Sequence, residues 1–166
     1  SATVNHGGGL RKAHQRVWAN PVHYAHQIAG AMAGGTPLKV EGSCDAYATG
    51  RSFGQIPPHP SVPALDVMAV LGAGGRELIV VLVNRAAEGE PIDVVLVPGG
   101  LAVGSEAHLV TLAGRTMYDQ NTLHDPERII PRASTLPVEK GRVHLSIAPF
   151  SCVRVTFDLG DSVKTA

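Results

Sequence analysis

Flat side chains are scarce in this chain: its 166 residues include three Phe, three Tyr and a single Trp, Trp18. A sugar-binding face built as an exposed aromatic platform needs several such rings, so that arrangement is disfavoured. Sulfur is sparse too. The two cysteines, Cys44 and Cys152, are too few for a structural zinc site. They lie far apart, which leaves a disulfide and two free thiols both open. Neither sign of charge predominates, with 14 Lys and Arg against 14 Asp and Glu, and no basic run interleaves with aromatics. Nucleic acid is therefore not an expected partner. No apolar stretch approaches the roughly 18 residues of a bilayer span, so no membrane partner is expected either. The start lacks the basic, apolar and small-residue succession of a signal peptide. The expected compartment is the cytoplasm rather than the cell exterior.

Glycine (19) and proline (12) are plentiful, which favours many short elements joined by turns. One helix is expected near the start, in "ANPVHYAHQIAG". Asn20 is placed to cap it and Pro21 suits its first position, while Val22, Ala25, Ala29 and Met32 recur at helical spacing before the Gly34-Gly35 stop. Ahead of it lie an apolar scrap at 2–5, three glycines and a basic segment.

Beyond Pro37 the reading is strands and turns. Short strands are expected at 37–42 and 44–49, followed by a Pro/Gly-rich connector over 50–63. Period-two alternation then marks 64–72, 104–114, 141–149 and 151–159, whereas 76–84 and 91–98 are apolar on both sides. Clean alternation implies antiparallel strands with one wet face. The fold class expected is mainly β: an antiparallel, jelly-roll-like β-sandwich preceded by one α-helix. The interval 115–141 shows no periodicity and reads as a long surface excursion, pinned by Ile129 and Ile130.

No self-sufficient active site emerges from the residues. His23 and His26, three apart on the helix, could face one metal ion, but no HExxH arrangement follows and a third ligand is missing. "NHGGGLRK" lacks the GK[ST] of a phosphate loop, and no G-x-S-x-G elbow occurs. The carboxylates sit mostly at turns or on solvent faces. No catalytic residue, metal ligand or cofactor is expected.

Three stretches in order nevertheless carry a resemblance. They are "LIVVLVNRAAEGEPIDVVL" with Asn84-Arg85, "NTLHDPERIIP" with Asn121, Thr122, Pro126, Glu127, Ile129 and Pro131, and "VHLSIAPFSCVRVTF" with Pro149, Ser151 and Arg154-Val155. Over residues 64–159 the chain resembles the C-terminal domain of α-L-arabinofuranosidases of glycoside hydrolase family 51. Upstream, "ATVNHGGGLRKAHQRVWANPVHYAHQIAG" is similar to the last strand and helix of that family's (β/α)8 barrel. The resemblance implies a division at residues 1–36, the barrel's end, and 37–166, the sandwich. It also implies that the opening helix leaves an apolar stripe bare for the rest of the barrel.

The implied activity is a retaining hydrolase that removes terminal α-L-arabinofuranosyl units from arabinan or arabinoxylan fragments. Both of its glutamates would be borne on barrel strands that this chain lacks, so the chain alone is expected to be inactive. Strand-end loops form the substrate face of such a barrel. By this resemblance Asn5, His6 and Trp18 border the sugar pocket, with Trp18 either lining the subsite or packing the helix. Ala2 and Thr3 stand where several members carry a substrate-contacting glutamine. The implied partners are the N-terminal catalytic barrel, an arabinose-containing oligosaccharide and further copies in a homo-oligomer. A stand-alone carbohydrate-binding module and an oligomerisation domain are the alternatives.

Overall fold

Alternation along the later strands requires a second layer to cover their apolar rows, and such a layer is present. The computed structural model describes residues 8–52, 54–86 and 89–160. In chain order these form the hairpin strands β1 (Leu10–Ala13) and β2 (Arg16–Ala19), helix α1 (Pro21–Gly30), and three short pairings, β3 (Thr36–Pro37), β4 (Ala46–Tyr47) and β5 (Val62–Pro63). The longer strands follow: β6 (Leu65–Leu71), β7 (Glu77–Asn84), β8 (Ile92–Leu96), β9 (Val103–Ala113), β10 (Arg132–Pro137), β11 (Val143–Ile147) and β12 (Ser151–Leu159).

Six strands make one antiparallel sheet in the order β10-β9-β12-β7-β6-β3, and β11 with β8 makes a two-stranded sheet facing it. The result is the expected mainly-β sandwich with a single helix. Strand β12 lies at its centre, so Val153, Val155 and Phe157 pair across to Leu82, Val80 and Leu78 of β7. The opposing row is Val143, Leu145 and Ile147 of β11. All nine are at most 8% exposed. Each fully buried aliphatic or aromatic side chain stabilises the fold by about 1.5–3 kcal/mol.

Strand β7 is covered on both faces as its apolar run requires: Leu78, Val80 and Leu82 point into the sandwich and Val81 lies in the outer cluster. Strand β8 is not. Its inner row Ile92, Val94 and Leu96 is half-buried, and Val95 on the outer side is 49% exposed.

Helix α1 lies on the outer face of the large sheet. Ile28 is 2% exposed and packs with Val81, Leu112 and Ile129, flanked by Tyr24, Ala25 and Met32. Of the stripe expected to be bare, Ala25 and Met32 are half-buried against this cluster, whereas Val22 and Ala29 stay exposed. Val22, 40% exposed, is the large apolar residue that α1 leaves out. Asn20 has the extended backbone of an N-cap, yet its side chain makes no cap bond.

Other expectations need revision. The strands expected at 37–42 and 44–49 shrink to two-residue pairings, Thr36–Pro37 with β6 and Ala46–Tyr47 with β5. Residues 39–48 are all exposed, so no buried row holds them in a longer ladder. The interval 115–141 contains β10, an edge strand whose only half-buried side chain is Leu136. The basic segment before the helix is the β1–β2 hairpin, turning at His14 with φ +53°. The apolar scrap at 2–5 lies outside the described residues.

Candidate functional site at the Asn121 junction

The hairpin, the helix start and the long excursion meet at one buried side chain. Asn121 is 3% exposed. Its Nδ2 donates to Ala19 O (2.8 Å) and Ile129 O (2.9 Å), and its Oδ1 accepts from Ile129 N–H (2.8 Å). Its backbone carbonyl accepts from Trp18 Nε1 (3.0 Å). With the Asn20 amide turned to satisfy both its atoms, Asn20 Nδ2 also donates to Asn121 O (3.3 Å) and its Oδ1 accepts from Arg11 Nε (3.1 Å). Buried amides need such partners, and these hold the 121–129 loop to the chain entering α1.

Gly9 completes the joint. Its carbonyl accepts from Asn20 N–H (2.6 Å), and a Cβ there would lie on His23 Cβ and 2.7 Å from His23 Cα. No side chain fits that contact.

Two further residues of the resemblance act in the same way nearby. Asn84 donates from Nδ2 to Ile147 O (2.9 Å) and accepts from Ala86 N–H (2.9 Å), tying the end of β7 to β11. Ser151 Oγ donates to Ala148 O (2.5 Å) and closes the turn into β12, where Phe150 has φ +55°. Asn84, Ser151 and Ile129 line one apolar groove of about 320 Å³, together with Val22, Val83 and Met117.

Among the described residues, Asp119 is the groove's only charged one. Its carboxylate accepts from Arg115 N–H (2.7 Å) and Thr116 Oγ1 (3.4 Å) and pairs with Arg128 (3.4 Å), with 12% of the side chain exposed. The Arg115 amide, aided by Arg128 and Thr116, lowers its pKa below the ordinary 3.8. The carboxylate is thereby held ionised at neutral pH.

A depressed carboxylate stabilises the fold above its unfolded pKa, and that contribution is lost as pH falls through the folded one. The stability of the chain is therefore expected to drop below the ordinary carboxylate value of 3.8 more steeply than in Asp119→Asn. Urea midpoints for both proteins at pH 7 and in strong acid check this. Equal acid losses would remove Asp119 from the account.

Of the residues expected to border substrate, Asn5 and His6 lie outside the described residues. Trp18 is half-buried and donates to Asn121 O. His23 is half-buried with its ring edge-on to Tyr24 (5.6 Å), whereas His26 is exposed. Among the described residues no three His, Cys, Asp or Glu side chains converge on a metal position. Both cysteines are free thiols: Cys44 is exposed, and burial pushes the Cys152 thiol up.

Fold and junction together define a two-layer antiparallel β-domain with a hairpin and helix stapled to its outer face. More particularly, the chain matches the family model of the α-L-arabinofuranosidase C-terminal domain over residues 3–151, and it belongs to that family. No curated protein matches it. Among solved structures it is similar to the α-L-arabinofuranosidase of Thermotoga maritima, determined as an arabinose complex, with 25% identity and a TM-score of 0.79. That match covers 94% of this chain and 32% of the other. The family 51 enzyme of Thermotoga petrophila RKU-1 gives 23% identity, a TM-score of 0.76 and coverage of 92% and 32%. That of Xanthomonas axonopodis pv. citri gives 18% identity, a TM-score of 0.78 and coverage of 93% and 30%. The chain thus spans about a third of the length of these relatives and corresponds to the C-terminal part of a family 51 glycoside hydrolase.

Proposed function

We propose that the chain is the C-terminal portion of a retaining α-L-arabinofuranosidase that releases terminal α-L-arabinofuranosyl residues from arabinan or arabinoxylan oligosaccharides. The observation that carries this reading is the continuous family match over residues 3–151, through hairpin, helix and sandwich alike. In this reading residues 1–36 end a (β/α)8 barrel and 37–166 form the accessory sandwich. Asn5, His6 and Trp18 border the sugar pocket, and the two catalytic carboxylates belong to the part of the enzyme outside this chain. The assembled enzyme is placed in the cytoplasm and works as a homo-oligomer.

The 166-residue chain alone is then expected to show no hydrolysis of a chromogenic α-L-arabinofuranoside above the buffer rate. Steady-state assay of the purified chain is the test, and turnover that follows its concentration would overturn the proposal. The anomer first released by the assembled enzyme, read by NMR, decides between retention and inversion.

A further inference from the structure

Tyr118 is 84% exposed, the most open of the large apolar side chains among the described residues, and it belongs to neither buried cluster. Met117 beside it is 62% exposed. The turn that carries them is nevertheless fastened on several sides. Arg115 N–H and Thr116 Oγ1 donate to the Asp119 carboxylate, which also pairs with Arg128. Tyr118 N–H donates to Thr116 Oγ1 (3.3 Å) and Asp119 N–H to Thr116 O (3.3 Å). Gly114 N–H donates to Phe150 O (3.1 Å), which ties the turn to the start of β12. The fold thus holds an exposed ring in place, and a ring already positioned costs less to order on binding.

Beside Tyr118 lies a hollow of about 630 Å³, a size within the roughly 300–1,000 Å³ of small-molecule clefts. Met117, Pro149 and Phe150 give it apolar walls, so two of the chain's few aromatic rings border one hollow. Arg115 is exposed at the same rim and brings guanidinium N–H donors. A sugar unit presents an apolar C–H face and an edge of hydroxyls, which call for a flat ring and for donors beside it. One unit needs one ring, so the scarcity of aromatics that disfavours an extended platform leaves this arrangement open. The turn also adjoins the segment that the proposed function sets at the sugar pocket, because Trp18 Nε1 donates to Asn121 O (3.0 Å) just beyond Asp119.

We propose that Tyr118 stacks on one sugar unit of an arabinose-containing oligosaccharide, with Arg115 bonding its hydroxyls, as an outer subsite away from the bond that is cut. The choice of ligand rests on the proposed function, whereas the position rests on the geometry of the 114–121 loop. A stable contact with a second copy needs about 800 Å² from each partner, well beyond what Met117 and Tyr118 present. A single sugar unit matches them in size.

Labelled methionine methyls provide the test by NMR, since Met117 flanks the ring while Met32 packs under α1 and Met68 lies on β6. The 166-residue chain is titrated with arabinotetraose and, separately, with an arabinoxylan tetrasaccharide. With at least one of them the Met117 methyl is expected to shift and saturate below about 10 mM sugar, while Met32 and Met68 stay fixed. Tyr118→Ala should weaken that binding about fivefold or more, and Tyr118→Trp should restore it. An unchanged urea midpoint checks that Tyr118→Ala folds normally, as the exposure of the ring requires. Four results overturn the inference. They are no saturable shift with either sugar, a shift that survives Tyr118→Ala, a Met117 methyl that moves with chain concentration in the absence of sugar, and loss of the response when the chain is co-expressed with the reading frame upstream of it. The third would mean that a second copy covers the ring, and the fourth that the rest of the polypeptide does. Arabinofuranosidase assay of the co-expressed assembly reports separately on the proposed function. Sugar binding without activity keeps the subsite and removes the hydrolase reading, and activity without sugar binding does the reverse.

Discussion

Asn121→Leu is expected to lower the unfolding free energy by about 4 kcal/mol, because it strips partners from three backbone groups at once. Ala19 O and Ile129 O lose their donor, and Ile129 N–H loses its acceptor. Each buried group left unmatched costs about 1–3 kcal/mol. Leucine fills a similar volume, so the loss reports on hydrogen bonding more than on a cavity. Asn121→Asp separates the two sides of the network. It keeps the acceptor toward Ile129 N–H but turns an oxygen toward two carbonyls, so it should be at least as damaging at neutral pH. In mild acid the protonated carboxyl regains one donor, and part of the loss should return. Trp18 donates to the same residue's carbonyl and is the chain's only tryptophan, so its fluorescence during urea unfolding reads the junction directly. A loss under about 1 kcal/mol for Asn121→Leu would mean that the joint is satisfied by water instead.

The strands with one wet face were legible because the core selects their residues in pairs. Val153, Val155 and Phe157 alternate with Arg154, Thr156 and Asp158, and the structure buries the first set and leaves Asp158 exposed. Strand β10 was illegible for the opposite reason. An edge strand hydrogen-bonds through its backbone and is free to be polar, so "RASTLP" carries no periodic signal. The β1–β2 hairpin is hidden similarly, with a His at the positive-φ turn position where Gly or Asn would have announced it. The helix itself was readable, but its partner was not. Period and spacing single out Val22, Ala25, Ala29 and Met32, whereas the helix residue the structure buries is Ile28, against Val81 and Leu112 of the same chain. As for the site, the sequence pattern singled out Asn84, Asn121 and Ser151 as a family signature. Their work as bridges between distant backbone segments, 102 residues apart for Asn121 and Ala19, appears only in three dimensions.

Phe157→Ala should be as severe as the Asn121 substitutions, at about 3–5 kcal/mol, but through packing rather than polarity. Phe157 is 0% exposed at the centre of the large sheet, flanked by Leu78 on β7 and Ala107 on β9. Neighbours fixed in two ladders cannot collapse into the gap, so transfer and cavity terms add. Val94→Ala makes the informative comparison, because Val94 faces the same core from β8 and is already half-buried. Its truncation should cost about 1 kcal/mol, since a half-buried side chain leaves little cavity behind. Equilibrium urea unfolding of both variants measures the two values under one condition. Their ratio carries the structural meaning: equal losses would mean that β8 packs as tightly as β12, whereas a small loss for Val94→Ala marks β8 as the loosely packed wall of the core.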